Sequence, residues 1–421
     1  MKKTILCCFI FFCSLSASAE LEISQIDFKT LFNSYRFSQA TVLPWPSIYW
    51  PFDGAGGGPG INHIPPGNDK SPAQKYDEFF ATGGKAAEWE NKNHNCELFE
   101  SSLQMNCRSW YGHCNGWTAA ALFNSEPDYD HPIVVTNPNT GVTMSFNYMD
   151  IKALLTEAWL DVWATYSGTG STVPAAGWIF DPNDPIAKAP SSANPGVSNF
   201  DAYWDVTPRA FFFALTNYLG IKKVGIAVDR FTGSQVWNQP LVAYRLLPIQ
   251  GNKATPITKD GQSIYPVTFG VKIYWANDSV GYDFKRRESL TWDVSNPTNS
   301  NDTVPNPPGR EWAQDSTPDG AYVSRYLSFT LFFDAPVVAS DDGITILSAG
   351  KIVGDGVWAH ADKSQTDVWY PYGPELSQTH PDFMWRPDSI TRPQYRNPII
   401  DPEKIYKFIL KQSPEPLGIK F

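Results

Sequence analysis

Cysteine, histidine and long apolar runs are all scarce in this 421-residue chain. With six cysteines and six histidines, few residues are available for chemistry that needs a thiol or an imidazole. After the N-terminus no run approaches the ~20 apolar residues of a spanning helix, and the densest is residues 210–215. We therefore expect no stable membrane insertion of the mature protein.

Basic residues are also in the minority. The chain has 33 lysines and arginines against 43 acidic residues, a formal net charge of −10. Nucleic acids and anionic membranes are negatively charged and attract proteins with an excess of basic residues. The composition therefore argues against nucleic acid as a partner.

The N-terminus has the pattern of an export signal. Lys2 and Lys3 precede the apolar stretch 4–15, and Ala17-Ser18-Ala19 offers small residues for signal peptidase. We expect a signal peptide over 1–19, cleaved after Ala19, which takes the formal net charge to −12. The alternative, a membrane anchor, needs a longer apolar stretch. The predicted location is secreted, or periplasmic or at the cell surface.

Three cysteines remain after this cleavage: Cys96, Cys107 and Cys114. In an oxidising compartment an odd number leaves one thiol unpaired. Cys96 and Cys107 flank a short loop and form the predicted disulfide, which leaves Cys114 free. A bridge between Cys107 and Cys114 remains an alternative.

Helix signals come first along the chain and strand signals follow. Predicted helices begin at Ser71-Pro72, at Cys114, near Asp150 and at Pro208, and the last has Thr207 as its cap and ends at Gly220. From residue 224 to 358 the runs are rich in β-branched and aromatic residues. We predict an α+β fold with helices packed on an antiparallel sheet. The predicted divisions are an N-terminal extension with a Gly-rich loop (20–70), a catalytic domain (71–395) and a C-terminal tail (396–421).

The segment around Cys114 is the best candidate for chemistry. A thiol in the first turn of a helix feels the positive end of the backbone dipole, which favours the nucleophilic thiolate. The N–H groups of that turn can stabilise an oxyanion, and the glycines at 112 and 116 leave room for a substrate. Aromatic residues on both sides can exclude water: Trp110, Tyr111 and Trp117. We predict that Cys114 is a nucleophile; the alternative is a buried structural thiol.

A thiol nucleophile needs an acid–base partner, most often histidine. The candidates are His63, His94, His113, His131, His360 and His380. His113 adjoins Cys114, but consecutive helical residues point roughly 100° apart, so it is poorly aimed. We place His380 first, since it lies close to Asp382, and His360 second, after the strand ending at Trp358.

An acid that orients this histidine is also predicted. Asp229 closes a predicted strand, where a buried carboxylate needs a reason. Asp382 is its rival. No Cys/His spacing indicates zinc, and the acidic turn 340–343 lacks an EF-hand continuation. The sequence therefore predicts no metal site.

Several segments together resemble one family. Val236-Trp237-Asn238-Gln239-Pro240 resembles the surface peptide of the oomycete cell-wall transglutaminases, the transglutaminase elicitor family, which plant immunity perceives. The segment 112–117 is similar to the one that carries that family's catalytic cysteine. Further landmarks follow the family's order: Ser71-Pro72, Lys75-Tyr76-Asp77, Asp205-Val206-Thr207-Pro208 and His380-Pro381-Asp382-Phe383. The resemblance spans roughly residues 70 to 390.

The resemblance implies a fold and an activity. The implied fold is a divergent papain-like, transglutaminase-like core with cysteine and histidine across a cleft. The implied reaction is acyl transfer from a glutamine carboxamide to a primary amine through a thioester on Cys114, with proteins bearing accessible Gln and Lys as substrates. It requires no cofactor and is either influenced by calcium or independent of it. Trp237 and Pro240 correspond to positions that support activity.

The chain departs from the animal transglutaminases at two places. Where their catalytic histidine stands two residues before a tryptophan, this chain has Gln235-Val236-Trp237, and glutamine cannot act as a base. Their Gly-Gln-Cys-Trp is here Gly112-His113-Cys114-Asn115. The base must therefore be sought elsewhere, at His360 or His380.

Two other functions fit the same sequence. If water reaches the thioester, the site is a deamidase or a cysteine protease. Alternatively, the protein is a non-catalytic secreted binding protein that uses exposed aromatic residues.

Overall fold

The computed structural model describes the chain over residues 23–53, 58–96, 111–160, 208–229, 237–249, 255–259, 261–284, 315–316, 320–358, 384–385 and 397–412. None of the helices within these ranges is both long and apolar enough to cross a bilayer.

Helices dominate the first part of the described chain. Their bounds are α1 Phe28–Tyr35, α2 Pro72–Phe80, α3 Lys85–Asn93, α4 Cys114–Phe123, α5 Tyr148–Ala158, α6 Pro208–Ala214 and α7 Pro402–Lys404. α6 continues as a π-helix over Leu215–Lys222, and α7 continues over Ile405–Leu410. Capping boxes at Ser71 and Asn147 begin α2 and α5. The helix starts predicted at Ser71-Pro72, at Cys114 and near Asp150 are confirmed.

Strands dominate the second part, and every pairing is antiparallel. Their bounds are β1 Phe37–Gln39, β2 Ile133–Thr136, β3 Thr143–Phe146, β4 Ile226–Asp229, β5 Asn238–Leu246, β6 Ile257–Lys259, β7 Gln262–Ala276, β8 Asp315–Ser316, β9 Tyr322–Phe333, β10 Val338–Ala339, β11 Ile346–Ser348, β12 Ile352–Trp358 and β13 Met384–Trp385. The main sheet has the order β12-β9-β7-β5-β4-β13, with β1 on β5, β6 on β7 and β8 on β9. The predicted α+β class is confirmed.

Helix α4 lies against the middle of this sheet. It packs on β5 and β4 and against α5. The Thr118 hydroxyl donates to the carbonyl oxygen of Asn238 at 2.9 Å, which ties the helix to the start of β5. A Cβ atom on Gly116 would lie 2.3 Å from the carbonyl oxygen of Thr156, so only glycine permits this approach of α4 to α5. Gly116 therefore has a role in helix packing, and its predicted role in substrate access stays a prediction.

The predicted extension and tail both contribute to one hydrophobic core. α1 buries one apolar face, and the C-terminal helix buries another; the residues are Phe28, Leu31, Phe32, Ile405, Tyr406 and Ile409. β1 extends the main sheet by pairing with β5. The chain before residue 71 and after residue 395 therefore helps to hold the core around α4.

The predicted end of α6 at Gly220 is wrong. The helix continues as a π-helix to Lys222 and ends at Lys223, which adopts φ 57°. Glycine is favoured at position 220 for a different reason, because a Cβ atom there would lie 2.9 Å from the Tyr244 hydroxyl oxygen. The predicted cap Thr207 lies outside the described residues.

Candidate active site

A short backbone pairing fixes the start of α4. The His113 N–H donates to the Tyr49 carbonyl at 2.7 Å, and the Phe52 N–H donates to the Tyr111 carbonyl at 2.9 Å. A Cβ atom on Gly112 would lie 2.6 Å from the Tyr49 carbonyl oxygen. Glycine is therefore required at position 112 for the two backbones to approach, and its predicted role in substrate access stays a prediction.

Cys114 is the first residue of α4, as predicted. It forms no disulfide, and it is 7% exposed. The first N–H groups of a helix have no partner within the helix, and together with the dipole they favour an anion at this end. The position therefore favours the thiolate form of Cys114.

Asn238 contacts this thiol. Its Nδ2 atom lies 3.8 Å from the Cys114 Sγ atom. Asn238 is 1% exposed and begins β5, and its carbonyl accepts the hydrogen bond from Thr118. Both the backbone and the side chain of Asn238 thus join the sheet to the beginning of α4.

Tyr49 borders the same space. Burial raises the pKa of its phenol, and the nearby charges of Asp53, Asp278 and Cys114 raise it further. The Tyr49 ring packs edge-on against Trp237, with ring centroids 5.6 Å apart. Tyr49 therefore stays a neutral phenol beside the thiol, and Trp237 lies behind it.

The segment 237–240 is an inner part of the sheet. Gln239 is fully buried, and its Nε2 atom donates to Asp278 Oδ2 at 2.5 Å. Pro240 pairs with Ala227, and the β5–β7 register shifts after the next residue. A proline in a central strand is tolerated at such irregularities. The resemblance implied a surface peptide, but in this chain the side chains of residues 238–245 are buried.

Trp117 is wholly buried in the core. Its Nε1 atom donates to the Trp45 carbonyl at 3.1 Å. This gives Trp117 a packing role beneath the first turn of α4. Its predicted support of activity stays a prediction.

The predicted base and acid are only partly within the described chain. His360 and His380 lie outside it. Asp229 ends β4, and its backbone pairs with that of Asn238. The edge strand β13 lies next to β4, with Met384 opposite Val228.

The predicted disulfide is described only on its Cys96 side, where the Cys96 N–H donates to the Phe52 carbonyl at 2.8 Å. Cys107 lies outside the described residues, so its pairing with Cys96 stays a prediction. The alternative in which Cys114 takes part in a bridge is wrong, because Cys114 forms no disulfide.

The structure reveals a buried polar cluster that the sequence analysis missed. His113 does not partner Cys114; its Nε2 atom lies 2.9 Å from His94 Nδ1, which in turn lies 2.9 Å from Glu90 Oε2. Glu157 Oε2 lies 3.6 Å from His113 Nδ1. All four residues are buried. Burial is the main reason why the pKa of His113 lies well below its usual range, and the charge of His94 lowers it further.

One signal for this cluster is present in the sequence. Glu90 and His94 stand four residues apart, which places both side chains on one face of a helix. The other two members, His113 and Glu157, come from distant segments. Only the tertiary structure brings them to α3.

Comparison with known proteins identifies relatives. The family model described as "Transglutaminase elicitor" matches residues 85–299. The crystal structure of the GP42 transglutaminase from Phytophthora sojae is similar, with 18% sequence identity, a TM-score of 0.45 and 85% of each chain covered. No curated protein matches the chain.

Proposed function

We propose, since the chain belongs to the transglutaminase elicitor family, that it is a secreted protein-glutamine γ-glutamyltransferase with Cys114 as its nucleophile. One observation carries the proposal. The unbridged thiol of Cys114 stands at the first turn of α4, with the amide of Asn238 3.8 Å from the sulfur. This arrangement places a hydrogen-bond donor for an oxyanion next to a sulfur that is favoured as the thiolate.

The reaction has two halves. The Cys114 thiolate attacks the carboxamide carbon of a glutamine, a C–S bond forms, the C–N bond breaks, and the nitrogen leaves as ammonia after accepting a proton. A lysine amine then attacks the thioester, a C–N bond forms, and the C–S bond breaks to restore the thiolate. The substrates are proteins with accessible Gln and Lys side chains, and no cofactor enters either step.

Asn238 fits the role of an oxyanion donor. A tetrahedral intermediate on Cys114 carries its negative oxygen about one bond from the sulfur-bound carbon, within reach of donors around the sulfur. The Nδ2 group of Asn238 and the first-turn N–H groups of α4 are such donors. They stabilise charge that is absent from the ground state, so they act on the rate.

We assign the base to His380, and the sheet order supports this choice. β13 lies beside β4. Met384 pairs with Val228, and the next residue of β4, Asp229, pairs with Asn238. The chain therefore enters β13 at the end of the sheet where Cys114 lies. His380 is four positions before Met384 in the chain, which limits their separation to about 14 Å.

The strand that precedes His360 lies far from Cys114. His360 follows β12 by two residues in the sequence, and β12 is separated from β5 by β9 and β7. At roughly 4.8 Å per strand, β12 lies about 14 Å across the sheet from β5. The last residue of β12, Trp358, pairs with Phe329 of β9. Phe329 is seven residues along β9 from Tyr322, the residue of β9 that lies closest in register to the start of β5.

The remaining predicted residues take supporting roles in this proposal. Asp229, at the end of β4, orients the base. Trp237 supports activity by packing on Tyr49, and Pro240 by shaping the inner strand. Trp117 supports it from the core beneath α4. The divergent papain-like arrangement, the signal peptide 1–19 and the Cys96–Cys107 disulfide are part of the same proposal.

One assay separates transfer from hydrolysis. The purified protein is incubated with a glutamine peptide, with and without a primary amine, in calcium and in chelator. Amine incorporation with release of ammonia supports the proposal, and equal rates in chelator show that calcium is dispensable. Ammonia release without amine incorporation would identify a deamidase, and cleavage of the peptide backbone a protease.

A further inference from the structure

Three segments of the chain meet at the buried polar cluster. Glu90 lies in α3 and His94 is the residue after it, His113 is the residue before α4, and Glu157 lies in α5. Each offers a ligand atom, and these atoms all lie within 4.8 Å of one another. Buried charged groups in proteins are paired with one another or coordinate metal ions.

The distances point to a common centre. His94 Nδ1 lies 2.9 Å from Glu90 Oε2 and 2.9 Å from His113 Nε2, and His113 Nε2 lies 3.4 Å from Glu90 Oε1. A single hydrogen on Nδ1 cannot point along both short contacts. Around a tetrahedral ion with bonds of about 2.0–2.1 Å, neighbouring ligand atoms are roughly 3.3 Å apart. The observed contacts lie close to that spacing.

The surroundings are built closely around these groups. Gly60 adopts φ +53°, and a Cβ atom there would lie 2.1 Å from Glu90 Oε1. The next N–H, that of Ile61, donates to the same oxygen at 3.1 Å. The Phe52 ring stacks on His94 with centroids 4.7 Å apart, and Trp89 packs edge-on against it. A hydrophobic shell of this kind limits the access of solvent to a metal site.

We propose that Glu90, His94 and His113 bind a divalent transition-metal ion, best matched by Zn²⁺, with the Glu157 carboxylate facing the second ring nitrogen of His113. Two imidazole nitrogens and a carboxylate suit zinc, whereas calcium and magnesium prefer oxygen ligands. A carboxylate beyond the ligating histidine fixes the orientation of its ring. The second Glu157 oxygen is itself held, because Oε1 accepts from the Asn397 N–H at 2.6 Å.

Such an ion has a positioning role. It joins α3, the turn at Gly60 and the start of α4, and Glu157 connects it to α5. Because His113 immediately precedes Cys114, an ion bound to His113 fixes the first turn of α4. The site therefore holds the segment that carries the thiol.

The test is metal binding by the full mature protein, without an activity assay. Protein stripped with a chelator is titrated with Co²⁺, whose visible absorption reports its ligands, and Zn²⁺ content is measured after reconstitution. We expect one ion per chain and a higher thermal midpoint with Zn²⁺. His94→Gln should lose the ion, and Glu157→Gln should bind about 10–100-fold more weakly. His131→Gln is the matched control, because His131 is an exposed histidine that contacts Asp128 outside the cluster.

Two results would overturn the proposal. One is a folded wild-type protein that takes up neither Co²⁺ nor Zn²⁺, a result that does not depend on any variant. The other is a folded His94→Gln protein, checked by circular dichroism, that binds the ion as tightly as His131→Gln does.

Discussion

The side-chain amide of Asn238 lies 3.8 Å from the sulfur of Cys114. The first residue of β5 thus meets the first residue of α4, although 124 positions separate them in the chain. Asn238 belongs to the segment that resembles the family's recognised peptide. The contact therefore joins that peptide to the predicted nucleophile, and it gives the peptide a reason to matter for activity.

Replacement of Asn238 tests its role as an oxyanion donor. Asn238→Ala removes the donor, and loss of one such donor lowers kcat by about 10²–10³-fold. KM for the glutamine substrate should change little, because the interaction forms in the transition state. Steady-state kinetics of amine incorporation measure both values.

Gln239→Ala is the matched control, since Gln239 contacts Asp278 and not the thiol. A drop in kcat for Gln239→Ala as large as that for Asn238→Ala would show that both act by maintaining the strand.

The two candidate bases are distinguished by parallel substitutions. His380→Gln should reduce kcat by about 10²–10⁴-fold, the usual contribution of a general base. His360→Gln should leave kcat near the wild-type value, because β12, the strand that precedes His360 in the chain, is separated from β5 by two strands. The reverse pattern in the same kinetic assay would assign the base to His360.

Burial of the peptide-like segment makes a prediction about recognition. The side chains of residues 238–245 are buried in the sheet, so a receptor or antibody for this segment cannot reach them in the folded protein. An antibody raised against residues 237–245 should bind the heat-denatured protein and not the native one. An antibody against the largely exposed residues 128–134 should bind both. Equal binding of the first antibody to native protein would contradict the buried placement.

A buried ion pair makes a stability prediction. Lys75 Nζ lies 2.6 Å from Asp150 Oδ2, and both side chains are almost fully buried. Lys75→Met leaves a buried carboxylate without its cation, a change that costs about 3–5 kcal/mol of unfolding free energy. Urea denaturation of the wild type and the variant measures the difference.

Lys70→Met is the control for this loss of charge, because Lys70 pairs with Glu78 at the exposed surface. It should change stability little. Comparable losses for the two variants would mean that Lys75 contributes only as a surface charge does.

Local signals predicted some helices well. Ser71 followed by Pro72 is a cap and a first-turn proline, and α2 begins there. α3 was not predicted, because its start is capped from a distance. The N-cap residue, Gly84, has no side chain that could cap the helix. Instead, the Asp77 carboxylate accepts hydrogen bonds from the N–H groups of Ala86 and Ala87.

The position of Cys114 could be predicted, but its surroundings could not. A thiol at a helix start follows from local sequence, whereas the contact with Asn238 depends on how β5 packs under α4. The buried polar cluster joins three distant segments of the chain, so His113 and Glu157, its members outside the α3 segment, gave no local signal. Gly112 and Gly116 show the same limit, since backbone approach and substrate access both favour glycine.

The most direct test of the account is to trap the acyl-enzyme. Protein incubated with a glutamine-mimicking thiol-directed peptide, or quenched during turnover, is digested and examined by mass spectrometry, with Cys114→Ala as the comparison. The account predicts that the label is on Cys114, and that Cys114→Ala keeps its fold and incorporates no amine. A label on another residue, or amine transfer by folded Cys114→Ala protein, would contradict it.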